Sequence, residues 1–345
     1  MNVARDHLTV LLNALYDLGA TPFTVSHPAD EIGDLLRVDL GDPYESTVSV
    51  LAGGPEYEER REEVHRAYDE AAYEELPDAT DYVRLLVTSG LGDVSNRDEI
   101  ETFLTRYGYP DLESGHPPVM AGIDANVLPW RLPQVLGFDP ALDHDGRPPV
   151  TGFALASGVK EELDWHYKQY NTQQVSTAFG SEFEALAEQP AGANREGMLG
   201  LYAYRRLMAA HQTDVVECDT GDEAIVAGYR AYHDENRKDV ILFSNDYGFV
   251  ERANDADVPA VHVQYPVDVS RRTAISWDQI GTLLYLFTVV FGIVVLPKVT
   301  LYGVWDGKSG LHWQNEAIRV ECRSPKVRDR LERDLAVVEA YEELT

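Results

Sequence analysis

Between residues 119 and 263 short, largely apolar runs alternate with segments of helical periodicity, and no other feature of the chain narrows its fold as much. Residues 119–123, 151–156, 240–243 and 260–263 read as strands, each bounded by polar residues, Gly or Pro. Helical spacing occupies a stretch from about Gly158, then residues 181–188, 200–211 and 222–234. A strand buried on both faces shows a continuous apolar run instead of alternation. Strands separated by helices of this length belong to a parallel sheet covered on both sides. The expected fold class is therefore α/β.

The flanks carry other patterns. Residues 1–115 mix helix signals (Leu8, Leu11, Leu12, Leu15; residues 56–75; residues 97–107) with strand signals at 23–25, 47–51 and 81–89. Ser114-Gly115-His116-Pro117-Pro118 reads as a linker, because consecutive prolines continue neither a helix nor a central strand. Beyond residue 268 a helix is followed by a strand at 293–296. A hairpin comes next, from residues 299–305 to 318–320, and then a closing helix over 325–343. The expected organisation is an N-terminal α/β domain (1–115), a central unit (116–268) and a C-terminal α+β region with a helix and β-hairpin (269–345).

Residues 279–297 hold no charge, almost the length of a membrane span. Ile280, Leu283, Leu284, Phe287 and Phe291 nevertheless keep helical spacing, and Gly292 is a natural helix stop. The reading is a buried helix and a strand, with no membrane; residues 280–291 could bury themselves in the core or in a homodimer.

Charge speaks to the setting. The chain of 345 residues carries 59 Asp+Glu against 29 Lys+Arg, a net of −30, and only 6 of the basic residues are lysine. That balance resembles halophilic proteins, whose surfaces stay hydrated in concentrated salt. In molar salt the Debye length falls to about 3 Å, so the acidic surface does not exclude nucleic acid; it requires short-range contacts or metal ions instead. Residues 298–330 form the one basic island, and Trp305, Lys308, His312 and Trp313 there combine cations and rings suited to stacking on single-stranded bases, although Trp and Tyr at strand spacing are more often core, and none of the four is taken as a site residue. Cys218 and Cys322 have no CxxC spacing and imply a reduced, cytoplasmic setting. The N-terminus, Met-Asn-Val-Ala-Arg-Asp, leads into a helix and not a signal peptide. HExxH, GxSxG and paired Cys/His spacings are absent, which disfavours zinc and serine-hydrolase chemistry.

Carboxylates at strand ends carry the functional signal. The run 119–123 ends on Asp124-Ala125-Asn126, and 240–243 ends on Ser244-Asn245-Asp246. Residues just past the carboxyl ends of parallel strands converge where ligands bind. Glu161-Glu162 follows the second strand, and Asp222-Glu223 opens the helix before residues 240–243. Each alone has a routine explanation in helix capping. Together they would repel one another unless a cation were present, and hard oxygen donors suit Mg²⁺ or Mn²⁺. Such a site performs phosphodiester hydrolysis.

The segments Gly122-Ile123-Asp124-Ala125-Asn126-Val127-Leu128, Ser157-Gly158-Val159-Lys160-Glu161-Glu162-Leu163, Gly221-Asp222-Glu223-Ala224-Ile225 and 240–249 resemble, in order, the four acidic motifs of PIN-domain nucleases. The resemblance covers about residues 117–266. It implies a PIN-like central parallel sheet flanked by helices, and a metal-dependent endoribonuclease. Asp124, Glu162, Asp222 and Asp246 would then be the catalytic and metal-holding residues for Mg²⁺ or Mn²⁺, Asn126 and Ser244 the polar support, and RNA, single-stranded or structured, the partner. Tyr247-Gly248 departs from the pattern, which commonly has a further polar or acidic residue there. His166, Lys168, Tyr170, Arg205 and Arg206 flank the expected crevice. Two alternatives remain: a catalytically idle PIN-like scaffold that binds RNA or protein, and a phosphatase of the haloacid dehalogenase type. The second alternative needs an acidic residue where this chain has Asn126.

Overall fold

The computed structural model describes residues 1–43, 45–140, 147–163, 172–210, 213–342 and 344. Along the chain the strands are β1 (Asn2–Ala4), β2 (Phe23–Ser26), β3 (Asp34–Asp42), β4 (Glu45–Val50), β5 (Val119–Ile123), β6 (Gly152–Ala156), β7 (Thr213–Val216), β8 (Asp239–Ser244), β9 (Ala260–His262), β10 (Arg272–Ile275), β11 (Ile293–Leu296), β12 (Val299–Tyr302) and β13 (Ala317–Cys322). The chain divides into two compact units. One comprises Met1–Gly92, Tyr167–Arg195 and Val267–Thr345; the other comprises Asp93–His166 and Glu196–Pro266.

The first unit corrects the expected partition. Its eight-stranded antiparallel sheet runs β1-β13-β12-β11-β2-β3-β4-β10, so blocks of strands from both ends of the chain interleave in one sheet. Residues 1–92 and 267–345 fall in one compact unit together with 167–195, where the sequence placed the two ends in separate N- and C-terminal regions. β3 escaped the sequence reading although Leu36, Val38 and Leu40 are buried between exposed Arg37 and Asp39, the period of a half-buried strand.

Helix Trp277–Phe291 lies in this unit. Ser276 and Gln279 form a reciprocal capping box at its start, with Ser276 Oγ accepting from Gln279 N at 3.2 Å. At its end Gly292 adopts φ +78°, a left-handed conformation that favours glycine. All five residues at the expected helical spacing are buried. Fifteen residues rise only about 22 Å, short of the roughly 30 Å hydrocarbon core. Among the described residues no helix is long and apolar enough to cross a membrane.

One further expectation changes, and the two readings of the hairpin rings are decided. Residues 81–89, read as a strand, form the helix Ala79–Thr88: Asp78 caps Asp81 N at 2.8 Å, and the buried Tyr82, Val83, Leu85 and Leu86 share a helical face. Lys308 is buried, its Nζ donating to the Gly303 carbonyl at 2.5 Å and standing 3.7 Å from the Trp313 ring centre. Trp305 and Trp313 are buried as well. The basic hairpin therefore spends its rings and this amine on internal packing, not on a nucleic-acid surface. Burial also pushes the Lys308 amine well below the usual lysine range.

The second unit is the expected parallel α/β layer. Its sheet runs β7-β6-β5-β8-β9, every pair parallel. β5 and β6 are buried throughout and β8 from Val240 onward, as central strands covered on both faces must be. Helix Arg97–Tyr107 belongs here and not to an N-terminal domain, and the segment read as a linker, Ser114–Pro118, lies within this unit. Asn96 explains part of this: its Nδ2 donates to the His262 carbonyl at 2.7 Å, and its Oδ1 accepts from Gln264 N at 3.0 Å. The chain steps from β5 to β6 and β7 on one side, then crosses to β8 and β9 on the other. The reversal falls between β5 and β8, and at such a switch point the loops part and leave a crevice at the strands' carboxyl ends.

Candidate active site

The β5/β8 register builds the centre of this crevice. Ile123 pairs with Phe243, and Asp124 N donates to the Phe243 carbonyl at 3.1 Å. The next residues, Asp124 and Ser244, therefore meet: Ser244 Oγ donates to Asp124 Oδ2 at 2.5 Å. Asn126 bridges the two loops, its Nδ2 donating to Ser244 Oγ at 3.3 Å and its Oδ1 accepting from Asn245 N at 3.1 Å. Asp246 N closes the set by donating to Ser244 Oγ at 2.8 Å. A fully buried hydroxyl thus organises three residues on two loops.

Asp124 is the perturbed group. Burial raises its carboxyl to about 6, opposed by the hydrogen bonds from Ser244 and Ala125 N and reinforced by the charges of Glu162 and Asp222. Those two carboxylates thus lie within electrostatic reach of Asp124. Asp246 shares the hydrogen-bond network through its backbone, but its carboxylate turns to its own helix, Tyr247–Asp255. There Oδ1 accepts from Gly248 N at 2.7 Å and Phe249 N at 3.3 Å, as an N-cap.

Glu162 and Asp222 are held from outside the strands. Glu162, on helix Ser157–Leu163, accepts from Gly221 N at 2.9 Å on Oε1. Gly158 permits this approach, because a Cβ there would stand 2.3 Å from the Asp219 carbonyl. Gly158→Ala is expected to push the 217–221 loop away and cost about 1–3 kcal/mol of stability. Faster hydrogen exchange at the Gly221 amide would report the broken contact with Glu162; unchanged exchange would refute it. Asp222 Oδ2 accepts from Arg252 Nη1 at 2.5 Å. Nothing local in the sequence signals that pairing, since the partners lie thirty residues apart.

The donor chemistry, oxygen throughout, fits a hard divalent cation. Among the described residues, however, no three His, Cys, Asp or Glu side chains are drawn together as a ready cage. Arg252 holds Asp222, and Asp246 caps a helix. Arg205 and Arg206 lie on helix Asn194–Ala210, whereas His166, Lys168 and Tyr170 lie outside the described residues. No family model, no curated protein and no solved structure matches the chain.

Proposed function

We propose that the protein is a metal-dependent endoribonuclease of PIN-like fold that hydrolyses phosphodiester bonds at the carboxyl edge of the parallel sheet. The observation that supports this reading is Asp124: a half-buried carboxyl at the topological switch point, fixed by Ser244 and influenced by two further carboxylates. Asp124, Glu162, Asp222 and Asp246 would hold Mg²⁺ or Mn²⁺. When bound, such an ion makes an attacking water more acidic and offsets charge on the leaving oxygen. Ser244 keeps one Asp124 oxygen oriented, and Asn126 locks the loops that carry Asp124 and Asp246. Arg252 neutralises Asp222, relieving repulsion among the carboxylates.

A second reading, the catalytically idle scaffold, draws on the engagement of Asp222 by Arg252 and of Asp246 by its own helix. One assay separates the two. In molar KCl with Mn²⁺, the chain is expected to cleave single-stranded or structured RNA, and the Asp124→Asn, Asp246→Asn double variant to lose activity by about a thousandfold or more. Cleavage that persists unchanged in the double variant would remove the proposed site.

A further inference from the structure

Beside the carboxylates stands an aromatic side chain that the hydrolytic chemistry does not use. Tyr247 directly follows Asp246 and is 61% exposed. Its ring meets His262 edge to face, with centres 5.8 Å apart and planes at 80°, while most of the side chain stays in solvent. His262 is itself fixed, with Nε2 donating to the Asn245 carbonyl at 3.0 Å. The platform therefore sits at the carboxyl ends of β8 and β9, braced by a second ring.

On the other side of Asp124, at β6 and β7, lies a groove of about 550 Å³ lined by Lys160, Tyr204, Arg205, Met208, Val215 and Glu217, among others. Lys160 and Arg205 are exposed, and neither is ion-paired with a carboxylate among the described residues. In a chain with a net charge of −30, two such cations against one carboxylate mark a local site for an anion. Exposed ring, carboxylates and cations follow one another along the strand order β9-β8-β5-β6-β7. Four strand spacings of about 4.8 Å give roughly 19 Å, room for a few nucleotides.

We infer that a single-stranded polynucleotide lies across the carboxyl edge of this sheet, with one base stacked on Tyr247 and its backbone running to Lys160 and Arg205. The inference rests on the nuclease reading for its scissile phosphate but not for its binding contacts. A base has a π-face whatever its identity, so the contact tolerates any sequence. A continuous duplex keeps its bases stacked on one another and would offer none to Tyr247.

The test uses the full chain in EDTA and molar KCl, with a 2′-O-methyl oligouridylate carrying one 2-aminopurine. Binding is expected to quench the fluorescence. Tyr247→Ala should abolish the quenching and weaken binding about tenfold, whereas Tyr247→Phe should retain both. With Lys160→Glu, Arg205→Glu, the slope of log Kd against log salt should fall by about 1.4, the value for two single-strand phosphate contacts. Quenching that survives in Tyr247→Ala, or is lost equally in Tyr247→Phe, overturns the inference. So does the absence of any oligonucleotide binding, which would assign the exposed ring to a protein contact. Quenching by a chain that shows no Mn²⁺-dependent cleavage supports the stacking site and sinks the nuclease reading alone.

Discussion

Asp124→Asn is expected to remove hydrolysis and, without added metal, to make the protein more stable at neutral pH. Burial lifts the Asp124 carboxyl to about 6, from an ordinary value of 3.8. A carboxyl raised in this way favours the folded state fully below about pH 3.8, and that advantage is lost as pH rises through about 6. Above pH 6 the ionised group costs the fold on the order of 1–3 kcal/mol, allowing for partial solvent contact. Asparagine cannot ionise, so the variant's advantage should open between pH 4 and 6 and stay level above. Chemical denaturation at pH 4, 5.5 and 7.5 measures it; a constant difference across that range would contradict the electrostatic cause. Mn²⁺ should stabilise the wild type and not the variant, reversing their order.

Glu75→Gln is expected to be the most damaging single substitution in the antiparallel unit. Glu75 and Arg195 form an ion pair, 2% and 0% exposed. Arg195 also donates from Nε to the Pro190 carbonyl at 3.0 Å and from Nη1 to the Val290 carbonyl at 3.2 Å. Glu75 Oε2 accepts from Gly192 N at 3.2 Å. The pair thus ties residues 190–195 to this unit. Burial pushes Glu75 upward against the pull of Arg195, and it drives neighbouring His27 down to about 3, helped by the same guanidinium. Neutralising Glu75 leaves the guanidinium charged and buried, at a cost of about 3–5 kcal/mol. The double variant Glu75→Met, Arg195→Met should recover most of that loss, because neither charge is then stranded. Urea denaturation of the wild type and the two variants decides the point: a double variant as unstable as Glu75→Gln would show that shape, and not charge, is what the pair supplies.

Much of the parallel unit was legible because burial on both faces leaves a local trace. The largely apolar runs at β5, β6 and β8 announced central strands, and the polar residues that follow them announced strand ends. β7 left no such trace, since three of its four residues are not buried, as befits an edge. Residues 81–89 misled for the opposite reason: Tyr and Val favour strands, but Asp78 supplies a cap and the face is helical. The basic hairpin showed its composition but not that Lys308 and both tryptophans point inward.

For the candidate site the division is similar. The apolar runs alone placed Asp124 and Ser244 at strand ends, and the parallel register brings them into contact. The pairing of Arg252 with Asp222, the turn of Asp246 onto its own helix and the exposure of Tyr247 depend on tertiary structure. So does the joining of both chain ends in one eight-stranded sheet. Periodicity records whether a residue is buried, because burial repeats along an element every two residues or every 3.6. It does not record which distant donor wins an exposed carboxylate or which strand lies beside which. Those outcomes are settled by competition among groups far apart in the chain, which only the assembled fold brings together.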